Sequence, residues 1–397
     1  MDKIVLKNEK VLYISEPLYY KKFACTGSEC PVNCCYGWEI VWKEDEIEKL
    51  KEAECSDDLK NIIADAFEPH GDAYKIKYKN NKCPFLTEDN MCRIQRELGV
   101  DCMSRTCMEY PRKLVKYGNI GVKSCFSSCC HVMDIICNDP NAMKLENKRR
   151  NTEKYPRLSD MDTEMDILNH PQLKYRKEIF NFFYEILSDE SRSIDTSIVL
   201  SAVAAQKIDG FITKGQHDRI PEIIKALKPQ LNNPAQIEKL ENAKSNLSLK
   251  INCSSALIQL LNASNMPMLV SGKNGIPDEE LCREGIKKFD EMFKDRPFAM
   301  RNIALNIFIT QFMPYMDKKS SLFDNFRHFA AEISAIKFIG AVMAVKVVEE
   351  DAEESFYFTA ARIDRRFTHN YLNIQKIYNI LDTLGINSPA YLMGILR

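Results

Sequence analysis

Thirteen of the fifteen cysteines in this 397-residue chain lie between Cys25 and Cys137, and only Cys253 and Cys282 come after them. A segment so loaded with thiols folds around bound metal or around disulfides, and the compartment decides which. The first 22 residues, MDKIVLKNEKVLYISEPLYYKK, interleave charged and apolar side chains. They contain no apolar run of about 7 to 15 residues of the secretory type. The expectation is a cytoplasmic chain whose thiols stay reduced and serve metal or redox chemistry.

Other partners are disfavoured on charge and length. With 55 basic against 56 acidic residues the net charge is -1, so the chain lacks the basic excess of a general nucleic-acid binder. The apolar stretch Phe338 to Val345 is eight residues long between Lys337 and Lys346, against about 20 for a bilayer span. It reads as a core helix, and no membrane partner is expected.

The cysteines fall into three groups. Cys25, Cys30, Cys34 and Cys35 lie within eleven residues in a Gly-, Pro- and Asn-containing turn. Cys83 and Cys92 flank an eight-residue loop, with Cys107 following before Tyr110-Pro111-Arg112. The third group is Cys125, Cys129, Cys130 and His131. Thiolates are the soft anionic donors that iron-sulfur clusters and zinc both take, four at a time. Pro31 and Pro84 directly follow cysteines and stiffen the loops. Spacing alone does not separate iron from zinc. The C-x3-C-x2-C signature of radical S-adenosylmethionine enzymes is absent, since the first run is C-x4-C-x3-C-C. Cys55, Cys102, Cys137, Cys253 and Cys282 lack such turns and are expected to be core or surface thiols.

The fold class expected is mainly α, with a cysteine-rich loop-and-helix metal module over residues 1–145. A polar linker over 146–166 and an all-helical domain over 167–397 would follow. One amphipathic helix is expected from Asp45 to Phe67. Beyond the linker, Ile179, Phe182, Phe183 and Ile186 recur at helical spacing, as do Leu305, Phe308, Ile309 and Phe312 before Pro314. Longer patterns run from Leu322 to Val348 and from Phe356 to Leu384.

On these motifs the chain resembles the flagellin lysine N-methylase (FliB-type) family, and more distantly zinc- or iron-chelating domains with a CxxCxxCC pattern. The likeness is carried by the run from Cys25 to Trp38, by CPFL with a cysteine eight residues on, by Cys107 before Tyr-Pro-Arg, and by Ser128-Cys129. In the C-terminal half, Phe312-Met-Pro314, Lys337-Phe-Ile-Gly-Ala, and Arg365 before His369-Asn370 extend it. The resemblance implies an S-adenosyl-L-methionine-dependent enzyme that methylates lysines of flagellin and carries a 4Fe-4S cluster. The ligand pool it implies is Cys25, Cys30, Cys34, Cys35, Cys83, Cys92, Cys107 and Cys129. Eight thiols exceed one cluster's needs, leaving open a second centre or thiols that do not ligate. The chain departs from the family in having Cys130-His131 where Pro-Glu usually follows the last cysteine.

Methyl transfer to lysine needs the neutral amine, whose conjugate acid has a pKa of about 10.4 in water. Either a buried site lowers the lysine's pKa, or a carboxylate or tyrosine within hydrogen-bond reach takes that proton. Glu109 and Tyr110, beside Cys107, are the catalytic candidates, and Arg112 is the candidate for the cosubstrate carboxylate. Arg365 and His369, one helical turn apart, form either a functional pair or a capping and packing pair. No Gly-rich strand-to-helix turn marks a cosubstrate site. The competing reading is a non-catalytic zinc- or iron-chelating protein-interaction module; an electron-transfer role is a third.

Overall fold

The computed structural model describes residues 11–30, 34–36, 40–80, 82–151, 161–244, 246–260, 279–312, 318–369 and 372–396. Pro31, Gly37, Trp38, Met313, Pro314 and Asn370 of the motifs above, and 152–160 of the expected linker, lie outside them. The chain divides into two compact units: Phe23–Lys113, and Met1–Lys22 together with Leu114–Arg397.

The smaller unit is built on strands β2 (Val41–Trp42), β3 (Phe67–His70) and β4 (Ala73–Ile76), in the antiparallel order β2-β4-β3. Gly71 and Asp72 close the β3-β4 hairpin, and the +64° φ of Gly71 is the left-handed geometry such a two-residue turn requires. The single helix expected over Asp45 to Phe67 is instead two, α1 (Glu44–Glu52) and α2 (Asp57–Asp65), with Phe67 already in a strand. Ser56 makes the break: its hydroxyl accepts from Leu59 N at 3.2 Å and caps α2, a residue type that stops one helix and starts another. Short helices α3 (Arg93–Leu98) and α4 (Arg105–Glu109) complete the unit.

The larger unit is mostly helical but not all-helical. β1 (Val11–Pro17) pairs in parallel with β6 (Ile120–Cys125) and antiparallel with β7 (Leu145–Asn151), and β5 (Arg112–Tyr117) extends the sheet to the order β5-β6-β1-β7. This corrects the expectation of helices and loops alone. In β1, Leu12 and Ile14 are buried while Tyr13 is exposed, the two-residue alternation of a sheet. β7, LENKRRN, is a polar strand at the sheet edge, which is why its sequence reads as a connection.

The helices are α5 (Cys130–Asn138), α6 (Glu164–Asn169), α7 (Arg176–Ser188), α8 (Ile194–Ile212), α9 (Ile220–Leu231), α10 (Pro234–Glu241) and α11 (Leu247–Leu260). They continue with α12 (Glu279–Met292), α13 (Ala299–Ile307), α14 (Leu322–Lys346), α15 (Glu349–Thr368), α16 (Leu372–Thr383) and α17 (Pro389–Leu396). A π-helical stretch, Phe308–Phe312, follows α13. α14 is the central helix, packed against α8, α11, α12, α15, α16 and α17. By length and composition it is apolar enough to cross a bilayer, yet 83% of its most apolar window is buried against its neighbours. Its contact with α12 is close: a Cβ at Gly285 would overlap the Ala341 carbonyl, and one at Gly340 the ring of Phe289. Phe180, Phe183, Phe308 and Phe326 stack between α7, the π-helical stretch and α14, with Phe183 and Phe326 centroids 4.6 Å apart.

Candidate functional site

In the smaller unit, three local structures aim thiols at one cavity. The turn at Cys34 and Cys35 is tied to the second motif by Cys83 N donating to Cys35 O at 3.0 Å. The loop from Cys83 to Cys92 is closed by Thr87, whose N–H and hydroxyl both donate to Met91 O, and by Arg93 N donating to Phe85 O at 2.7 Å. Asn90, at a φ of +59°, makes its turn. Cys107 sits in α4, where Ser104 caps the helix by accepting from Cys107 N at 3.1 Å.

Cys34, Cys35, Cys83, Cys92 and Cys107 line this cavity of about 50 Å³ together with Trp42, Phe85, Met103 and Tyr110. One water needs about 10–15 Å³, so there is room for an ion or small inorganic group. The hydrogen bond of Cys35 with Cys34 favours its thiolate, but its bond with Cys83 and its burial outweigh that and hold it well above the ordinary thiol range. Burial pushes Cys107 up to about 12 and raises Cys92, with neighbouring thiols adding to both. Sulfurs crowded in this way resist ionising together without a cation among them. Among the described residues no three or more His, Cys, Asp or Glu side chains close into a metal-coordination group; the thiols share a wall without forming a finished sphere. As a donor set they fit a soft metal or cluster, since five thiols exceed the four required.

The other sequence-expected residues are placed differently. Cys25 is exposed, its Sγ accepting from Gly27 N at 3.5 Å, and Cys30 is half-buried; neither is in the wall. Cys129 belongs to the larger unit, immediately before α5. Tyr110 is in the wall, whereas Glu109 is exposed and ion-paired to Arg105 at 2.8 Å. The Arg112 guanidinium donates to Phe23 O at 3.1 Å and lies 4.9 Å from the Phe23 ring. Cys55 and Cys102 pack on the smaller unit's core, while Cys137, Cys253 and Cys282 are buried in the larger unit.

Arg365 and His369 converge on one residue. Ser128 Oγ is 3.0 Å from His369 Nε2, and Arg365 donates to Ser128 O at 3.3 Å. On the same loop the Tyr19 hydroxyl accepts from Cys125 N at 2.7 Å, and Asn306 donates to Cys125 O at 3.0 Å and to Ser127 Oγ at 2.6 Å. The segment before α5 is thereby fixed from the helical turn Leu18–Lys21 that follows β1, from α13 and from α15.

The sequence reading missed a buried polar group in the bundle. Glu332 of α14 and Asp364 of α15 are fully buried, and Gln311 of the π-helical stretch donates to both, at 3.4 and 2.8 Å. Burial, then the neighbouring Asp364, holds Glu332 well above the carboxylate range, and burial raises Asp364 to about 6. The available signal was His328 and Glu332, four residues apart with only Phe329, Ala330 and Ala331 between them.

Fold and site together define the class: a helical-bundle protein with an inserted unit presenting a sulfur-donor cavity. The model of the FliB lysine N-methylase C-terminal domain matches residues 180–395, more than half of the sequence, and the chain belongs to that family. The match covers the bundle and leaves the thiol unit outside it. The lysine-N-methylase of Salmonella typhimurium is 32% identical over 145 residues, which is 35% of this chain and 36% of that protein. The lysine-N-methylase of Salmonella choleraesuis is also 32% identical over 145 residues, 36% of its length. The flagellar biosynthetic protein FliU of Salmonella muenchen is 32% identical over 146 residues, 86% of its length. The chain thus aligns with about a third of the two methylases. No solved structure matches it.

Proposed function

We propose that this chain is an S-adenosyl-L-methionine-dependent protein-lysine N-methyltransferase acting on flagellin in the cytoplasm. Its smaller unit would hold a 4Fe-4S cluster through four of Cys34, Cys35, Cys83, Cys92 and Cys107. The observation that carries the catalytic half is membership of the lysine N-methylase family across the bundle. Convergence of five family-motif cysteines on one cavity supports the metal half.

The reaction requires the lysine ammonium to lose its proton, after which the nitrogen lone pair attacks the sulfonium methyl carbon. The new N–C bond forms as the C–S bond breaks and the thioether leaves. Tyr110, in the cavity wall, is the candidate proton acceptor, in its phenolate form. Glu109 is committed to Arg105 at the surface, and Arg112 to the Phe23 carbonyl, so each must exchange a partner to act. Held by four of these thiolates, a cluster would supply redox-active iron and sulfide; zinc would take the same thiolates as a closed structural centre.

Two measurements separate the parts. Anaerobically purified protein is expected to contain iron and acid-labile sulfide, and a colourless protein with one zinc per chain would refute the cluster. Labelled S-adenosyl-L-methionine is expected to transfer methyl groups to flagellin lysines. Metal uptake without transfer would favour a non-catalytic chelating module, a reading supported by the thiol unit lying outside the family-matched span.

A further inference from the structure

Trp42 is 1% exposed and forms part of the wall of the thiol cavity. Its ring is packed by Phe67 and Phe85, with centroids at 5.2 and 6.5 Å. The indole Nε1–H can only donate, and among the described residues it has no acceptor. A phenylalanine would supply aromatic packing without burying an unmet donor, so the indole nitrogen implies an acceptor that arrives with something else. Tyr78 repeats the pattern: its hydroxyl is buried and among the described residues has no partner, and the side chain packs on the core cluster that contains Cys83 and that Cys35, Cys92 and Cys107 also pack against. Protonated thiols are weak acceptors, whereas the thiolate and sulfide sulfurs of a metal centre are electron-rich.

The geometry points to Trp42 and Tyr78 as hydrogen-bond donors to the sulfur of the centre that Cys34, Cys35, Cys83, Cys92 and Cys107 surround. They are positioning residues and not ligands. This rests on the metal reading proposed above. Donors to sulfur stabilise the more negative form of a cluster, and hydrogen bonding to sulfur is one of the levers on its potential. At a zinc centre the same donors hold the thiolates against protonation and loss of metal.

The test uses the full chain, purified anaerobically, with iron, sulfide and zinc counted per chain for wild type, Trp42→Phe and Tyr78→Phe. If iron and sulfide are present, redox titration followed by electron paramagnetic resonance should show wild-type metal content and a more negative potential in each variant, lowest in the double variant. If zinc is present, each variant should release it to a chelator about 10-fold faster. Tyr78→Phe removes a single oxygen and serves where Trp42→Phe fails to fold. A loaded wild type whose variants keep its potential or release rate overturns the donor assignment alone. A wild type with neither iron nor zinc overturns the metal reading, and the donor assignment with it.

Discussion

Between Phe23 and Lys113, the hydrophobic cluster numbers twelve buried residues, Cys83 among them, and the strands around it are two to four residues long. In the larger unit a 25-residue helix, α14, packs among six others. A unit of about 90 residues with so little regular structure buries proportionally less apolar surface than a domain three times its size. The contrast teaches where a metal would be structurally consequential: in the smaller unit the proposed thiol-held centre would do what side-chain interdigitation does in the bundle.

The strongest way to break this comparison is to remove the metal. Chelation of the proposed centre is expected to cost the smaller unit on the order of 10 kcal/mol, opening 23–113 to limited proteolysis while far-ultraviolet circular dichroism of the bundle persists. Equal protease resistance before and after would place the stability of both units in packing.

The next effect belongs to the bundle alone. Lys250 is buried, with its Nζ 3.4 Å from Leu396 O, and burial, then Lys337, lowers it from 10.5 to about 7 against opposing Asp195 and Asp290. A depressed lysine favours folding above pH 10.5, and that contribution is lost as pH falls to about 7, up to about 5 kcal/mol over the window. Denaturant midpoints should therefore fall from pH 9 to pH 7 in wild type, and fall less in Lys250→Met.

Phe183→Ala should cost the bundle about 3–5 kcal/mol in chemical denaturation, with metal content unchanged, because this fully buried ring sits between Phe182 and Phe326. Ser56→Ala, which removes the α2 cap and the hydrogen bond to Glu97, should lower the loaded smaller unit's stability by about 1 kcal/mol in the same assay.

The bundle was legible because Phe182, Phe183, Phe308 and Ile309 repeat at the helical period and are all buried. The sheet was not, because β1 finds its partners beyond Ile120, a pairing that no local pattern encodes. The thiol cavity was legible in composition and in five of its residues. Its limits were not: thirteen cysteines crowded together suggest one module, yet Cys125, Cys129, Cys130 and Cys137 follow β5 into the larger unit. Trp42 and Tyr78 carry no sequence signal of their role, since only burial without a partner marks them. Likewise Glu332 and Asp364 meet from separate helices.

The thiol unit interrupts a sheet, since β1 precedes it and the strands that flank β1 follow it. During synthesis at about 5–20 residues per second, β1 therefore waits roughly 5–20 s for β6 to be made, about 100 residues later. The inserted segment is complete before that. Loading of the proposed centre would then fall while β1 is still an unpaired strand, and a shortage of that cofactor would leave both ends of the insertion untethered at the moment the sheet must form.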